Sequence, residues 1–189
     1  MYIPKAFRVT DHDEIFSFVE ENAFGQLVST VEGRISSTHM PFLLSDDKQK
    51  IFGHFAKQNP QYSELDNQEA LVTFLGRMIT FRRLGTTPRV CQPAFIKQYT
   101  FMAYAVSSTI RKAVVENLTT KYESAMKNPW EPSYDPSLLG AIVCVEISIT
   151  EIQCKYKLSQ NRPAADKERV IAQLAGRGSI SMADAMRKI

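Results

Sequence analysis

Between Thr10 and Glu21 the apolar residues Ile15, Phe16, Phe18 and Val19 recur at helical spacing and share one face, with acidic residues in the first turn. Thr10 or Asp11 supplies the N-cap, and the acids suit the positive end of the helix dipole. From Phe24 the period changes to two. Phe24 to Val31 reads as a strand rich in β-branched residues, Glu32-Gly33 as a turn, and Arg34 to Leu44 as the hairpin partner. Residues 45–50 form a polar loop, and Ile51 to Ala56 a short strand. Asn59-Pro60 sets an N-cap before a proline at the first helical position, opening a short helix through Leu65. Ala70 to Leu75 is strand-like, and Val106 to Met126 fits a helix closed by Asn128-Pro129. A loop rich in proline and aspartate leads to the strand Ala141 to Ile152. Pro163 and Asp166 open a helix through Leu174, which Gly176 and Gly178 end. Ser181 caps one last turn or two. Strands joined by tight turns, with helices at intervals, predict an α+β barrel.

Composition narrows the class. At 189 residues and 44% hydrophobic, the chain buries one substantial core, so one domain is expected, with residues 163–189 as a C-terminal helical extension. No run of eighteen apolar residues occurs, which excludes a membrane-spanning helix. The first residues lack the apolar stretch of a signal peptide, which points to the cytoplasm. Cys91, Cys144 and Cys154 are odd in number and show no C-x-x-C spacing, so buried free thiols are expected rather than a disulfide framework or a zinc site. The net charge of +3 is unevenly spread: residues 77–112 hold seven Lys and Arg and no acid. Such a strip ordinarily reads as a nucleic-acid footprint.

Three segments carry chemistry. In Ile35-Ser-Ser-Thr-His-Met-Pro41, strand geometry puts Ser37 and His39 on one face and Ser36 and Thr38 on the other. Hydroxyls and an imidazole so placed can donate to a phosphate or a ring carbonyl, although an edge strand with outward polar residues reads the same way. In Gly53-His-Phe-Ala-Lys-Gln-Asn-Pro60, Gly53 permits close backbone approach, His54 and Lys57 can face a phosphate, and Asn59 opens a helix whose free N–H groups suit an anion. In Leu158-Ser-Gln-Asn-Arg162, amides, a hydroxyl and a guanidinium gather before the last helices. There Ser159 and Asn161 capping the helix, with Arg162 paired to Asp166, is an equal alternative. The spacing of His12, His39 and His54 does not suit a metal, and no acid is placed to orient His39 for nucleophilic catalysis, so no catalytic residue is assigned.

The opening Met1-Tyr-Ile-Pro-Lys5 and the run Lys155-Tyr-Lys-Leu-Ser-Gln-Asn-Arg162, with Asp166 and Val170-Ile171 after it, resemble the PaiB-type transcriptional regulators. The segments around His39 and His54 resemble that family's A-T-H-x-P-x-L and G-H-x-A-x-x-N-P-Q patterns. The resemblance implies an FMN-binding split β-barrel with flanking helices and a C-terminal helix, and a homodimer with the cofactor at the subunit interface. It also implies a negative regulator of protease synthesis and sporulation. FMN contacts are then expected from Ser37, Thr38, His39, Gly53, His54, Lys57, Asn59, Gln160 and Arg162. DNA is the partner such a role suggests, although the sequence shows no recognisable helix-turn-helix. An FMN-dependent oxidoreductase or a haem-handling enzyme on the same barrel is the alternative.

Residues 77–111 break this pattern, having neither a strand nor a helix period. The resemblance implies G-P-H-x-Y-I-S-P-S-W-Y here, followed by V-P-T-W-N-Y and A-V-H-V-Y-G. Codons that permit Gly76 to Thr86, read one base out of phase, allow P-H-D-Y-I-S-P-S-W-Y; Lys97 to Ala103 likewise allow A-V-H-V-Y-G. The W-N pair is not recovered. The segment therefore reads as an out-of-frame version of the family stretch, with the frame restored before Ala113. On that reading the basic strip carries no functional message. Taken as written, it sets arginines where a cofactor wall is expected and would break the flavin cleft.

Overall fold

The computed structural model describes residues 1–66, 68–76, 79–80, 94–108, 111–124, 126–130 and 133–188, with backbone alone over 79–111. The shifted-frame reading of 77–111 concerns side chains outside these described residues. In chain order the elements are a 3-10 turn at Lys5–Phe7, β1 (Arg8–Val9), α1 (His12–Glu21), β2 (Phe24–Val31), β3 (Arg34–Pro41), β4 (Leu43–Leu44), β5 (Lys50–Ala56) and α2 (Pro60–Ser63). There follow β6 (Glu69–Leu75), β7 (Ile79–Thr80), β8 (Ala94–Ser108), α3 (Arg111–Glu123), α4 (Pro136–Gly140), β9 (Ile142–Lys157), α5 (Ala164–Gly176) and α6 (Ile180–Arg187). The backbone forms two compact units.

The larger unit spans His12–Phe74 and Thr100–Ile152. Its strands run in the order β3-β2-β6-β8-β9-β5-β4, and the registered pairs are antiparallel. The β2–β3 hairpin closes at Glu32 (φ 49°) and Gly33 (φ 73°), two consecutive left-handed residues that match the twist of the strands. Inward positions of the strands alternate into one core: Leu27, Ile51, Phe55, Val72, Phe74, Val143, Val145 and Ile147 are all buried. Phe42 meets Phe74 edge-on, ring centroids 5.5 Å apart at 76°. Burying each such side chain contributes about 2 kcal/mol. Helix α1 buries the predicted Ile15, Phe16, Phe18 and Val19. Helix α3 lays Val114 and Leu118 against Cys144, Leu43 and Phe52 on the opposite face of the β4–β5–β9 strands.

The smaller unit contains Met1–Asp11 and Gln153 onward, with a third segment in which only backbone is described from residue 79. Here β1 pairs with the end of β9, Arg8 opposite Lys155 and Val9 opposite Cys154. Cys154, Tyr156 and Leu158 point inward, as do Val170, Ile171 and Leu174 of α5 and Met182, Ala183 and Met186 of α6. Cys144 and Cys154 are buried and form no disulfide.

Several expected boundaries move. The partner of β2 ends at Pro41 rather than Leu44, because the Phe42 N–H turns to Ala23 O (2.8 Å) and Leu43–Leu44 pairs with β5 instead. The helix expected from Val106 begins at Arg111, and Val106–Ser108 finish β8. The strand expected to stop at Ile152 continues to Lys157, so the first residues of the polar run are strand. Helix α4 was not expected; Asp135 caps it by accepting from Ser137 N, with Pro136 at its first position.

Candidate functional site

Two groups of the predicted site residues lie in the larger unit. The first is on β3, an edge strand of the described sheet. Ser37 and His39 are exposed and face outward, whereas Ser36 and Thr38 turn inward, as alternation requires. The register sets Ser37 opposite Val28 and His39 opposite Gln26 of β2. Gln26 Nε2 donates to Ser37 Oγ at 2.7 Å, and Thr73 Oγ1 on β6 donates to Gln26 Oε1 at 3.4 Å. The His39 ring stacks on the exposed Phe24, centroids 6.4 Å apart and 19° from parallel. The outward face is thus a short polar ladder beside a stacked imidazole, with donors and acceptors open to a ligand.

Thr38 and Asn59 are hydrogen-bonded within the protein. Asn59 Oδ1 accepts the Gln61 N–H at 2.9 Å and caps α2, while its Nδ2 donates to Thr38 Oγ1 at 3.0 Å. Thr38 Oγ1 donates to Gln61 Oε1 at 2.6 Å, and Gln61 Nε2 donates to Ser29 Oγ at 2.8 Å. Gln61 is fully buried, so this network pins α2 beneath the β2–β3 hairpin. Gln61 and Gln26 were not among the expected site residues. Gln61 stood next to Asn59-Pro60 in the N-P-Q motif, which is the signal that marks it.

The second group is on β5. A Cβ at Gly53 would lie 2.9 Å from Met40 Sδ and 3.2 Å from the Phe42 ring, so the close approach it permits is to core side chains. His54 sits on the other face of β5, opposite Cys144. Its Nδ1 is buried and makes no hydrogen bond among the described residues. Burial pushes the His54 imidazole below its ordinary value, favouring the neutral ring. Lys57 is exposed just past the strand, its backbone N–H held by Ala141 O at 2.8 Å.

Gln160 and Arg162 belong to the smaller unit. Gln160 closes the turn after β9: its Oε1 accepts from Leu158 N (2.7 Å) and its Nε2 donates to Tyr156 O (2.8 Å). Ser159 is buried with φ 63°. Arg162 is half-exposed. The alternative pairing of Arg162 with Asp166 does not form; Asp166 binds Arg169, one turn on. The expected side-chain cap of α5 is absent too, because Pro163 occupies the N-cap position. Among the described residues, no three His, Cys, Asp or Glu side chains are grouped to hold a metal ion. No helix among them is long and apolar enough to cross a membrane.

Residues 1–78 match the family described as "Putative FMN-binding domain". Over 185 residues, 92% of this chain and 89% of its relative, the sequence is 38% identical to "Protease synthase and sporulation protein PAI 2" of Bacillus subtilis. The chain belongs to the PaiB-type family. Solved structures agree on the fold. The FAD and haem binding protein of Mycobacterium smegmatis matches at a TM-score of 0.64 and 10% identity, covering 86% of this chain and 79% of that one. The flavocytochrome Anf3 of Azotobacter vinelandii matches at 0.62 and 13%, covering 77% and 67%. These likenesses show the α+β split barrel of flavin-binding proteins, as the PaiB resemblance implied. The site donors suit a flavin mononucleotide in kind: outward hydroxyl, amide and imidazole groups, an exposed ammonium, and a buried imidazole nitrogen with an unused bond.

Proposed function

We propose that this chain is a PaiB-type negative regulator of protease synthesis and sporulation that holds FMN on its split barrel. The observation that carries the reading is the 38% identity across nearly the whole chain to a protein named for protease synthesis and sporulation. In this reading Ser37 and His39 contact the cofactor from the outward face of β3, with Gln26 orienting the Ser37 hydroxyl. Lys57 offers a cation for the phosphate, and His54 offers its Nδ1. Thr38, Gly53 and Asn59 hold that frame in place, and Gln160 and Arg162 shape the turn that follows β9. FMN, when bound, supplies electron-transfer chemistry or a ligand-responsive ring. The protein works in the cytoplasm as a homodimer and acts on DNA.

The test is an extracellular protease reporter in a strain lacking the gene. Complementation should lower protease output and delay sporulation. Unchanged output, together with rapid bleaching of bound flavin by NAD(P)H, would replace the regulator with an oxidoreductase.

A further inference from the structure

The end of β9 and the short β1 form a ribbon in the smaller unit, with Cys154, Tyr156 and Leu158 on its buried side. The other side carries Gln153, Lys155 and Lys157 in alternation, and Arg8 directly opposite Lys155. Side chains opposed in this way are neighbours, and like charges there destabilise the pair. Neither Arg8, Lys155 nor Lys157 forms an ion pair among the described residues, and Lys5 precedes them in the same unit. The setting is basic as a whole. Residues 1–11 and 153–188 hold ten Lys and Arg against four Asp and Glu, while the rest of the chain holds thirteen against sixteen. Lysine on an edge strand also guards a sheet against aggregation, but Lys155 lies on β9, which β1 covers at that position. This ribbon face uses one sign only and accepts the repulsion.

We infer that this ribbon face, Arg8 with Lys155 and Lys157, is a contact surface for the phosphate backbone of duplex DNA. Alternate strand residues lie about 6.7 Å apart, close to the axial rise of two phosphates on one DNA strand, about 6.8 Å. A membrane-binding face would interleave apolar side chains with the lysines. One for single-stranded nucleic acid would offer aromatic rings for stacking. Gln153, Lys155, Lys157 and Arg8 offer neither; the Met1 ammonium, which donates to Gln153 Oε1, adds positive charge there, and Tyr2 after it is one exposed ring instead of a stacking platform. Such contacts fix position rather than read sequence. The inference rests on the regulator reading above and supplies the DNA surface that a missing helix-turn-helix motif left unassigned.

The experiment is fluorescence anisotropy of a labelled mixed-sequence duplex against the full-length protein across a salt series. The double variant Lys155→Gln/Lys157→Gln should weaken binding about tenfold and lower the salt slope by about 1.8, about 0.9 for each phosphate no longer neutralised. Arg8→Gln should weaken binding and also raise the thermal midpoint, since it relieves the opposed pair. Lys112→Gln, paired with Glu116 on α3 in the other unit, should leave the slope unchanged. Equal binding by wild type and a folded double variant would overturn the ribbon assignment while leaving a DNA-binding regulator intact. Absence of duplex binding by the wild type would overturn both. Tighter binding to phosphatidylserine vesicles or to single-stranded RNA than to the duplex would overturn the choice of partner.

Discussion

The Thr38 hydroxyl donates to Gln61 Oε1 at 2.6 Å, across 23 residues of chain, and Gln61 is fully buried. The amide nitrogen of the same side chain reaches Ser29 Oγ on the neighbouring strand. One residue therefore ties the start of α2 to both strands of the hairpin that presents Ser37 and His39. Replacing Gln61 with Leu removes the partner of Thr38 and Ser29 and leaves polar groups buried without compensation, which typically costs about 1–3 kcal/mol. The urea midpoint of Gln61→Leu should fall accordingly, and FMN affinity should fall with it because the hairpin loses its anchor. A variant as stable as wild type would show that the network is incidental.

His54 makes folding sensitive to acid. Burial depresses its folded-state pKa below the ordinary imidazole value of 6.5, so the unfolded chain takes up the proton first. The stabilising contribution is complete above that value and is lost as pH falls through and below it. His54→Gln should flatten the dependence of the urea midpoint between about pH 7.5 and 5.5. If the variant and the wild type lose stability in parallel, another group carries the acid response.

Residues 77–112 offer a test by mass. Trypsin acting on the chain as written cuts after Arg77, Arg82, Arg83 and Arg89, giving short fragments. The shifted frame predicts one longer peptide containing H-D-Y-I-S-P-S-W-Y in its place. The short fragments would show a divergent segment and a cofactor wall unlike that of the family.

The parts legible in the sequence were those whose signal is local. Helix α1 showed its buried face through the spacing of Ile15, Phe16, Phe18 and Val19, and the β2–β3 turn through Glu32-Gly33. That Ser37 and His39 share one face followed from strand alternation, whereas which face is outward did not. Helix α4 escaped notice although Asp135-Pro136 uses the same grammar that marked the still shorter α2 at Asn59-Pro60, because its cap lies within a stretch whose prolines and aspartates read as loop. The end of β9 was legible as well, since Cys154, Tyr156 and Leu158 alternate with Gln153, Lys155 and Lys157 at strand period, but the polar residues read as a motif instead of as the outer face of a strand. The role of Gln61 was not legible because its burial depends on Ser29 and Thr38, which sequence alone cannot place beside it. For the same reason the bond between Asn59 Nδ2 and Thr38 Oγ1 was not legible.

FMN titration of the purified protein is the most direct test of the central claim, that the outward face of β3 belongs to a flavin site. Followed by quenching of flavin fluorescence, it should saturate at one FMN per chain. Ser37→Ala/His39→Ala should weaken it about tenfold or more with the thermal midpoint unchanged, since both side chains are exposed. Saturable binding that the double variant leaves untouched would move the site elsewhere on the barrel, and no binding by the wild type would contradict the flavin account outright.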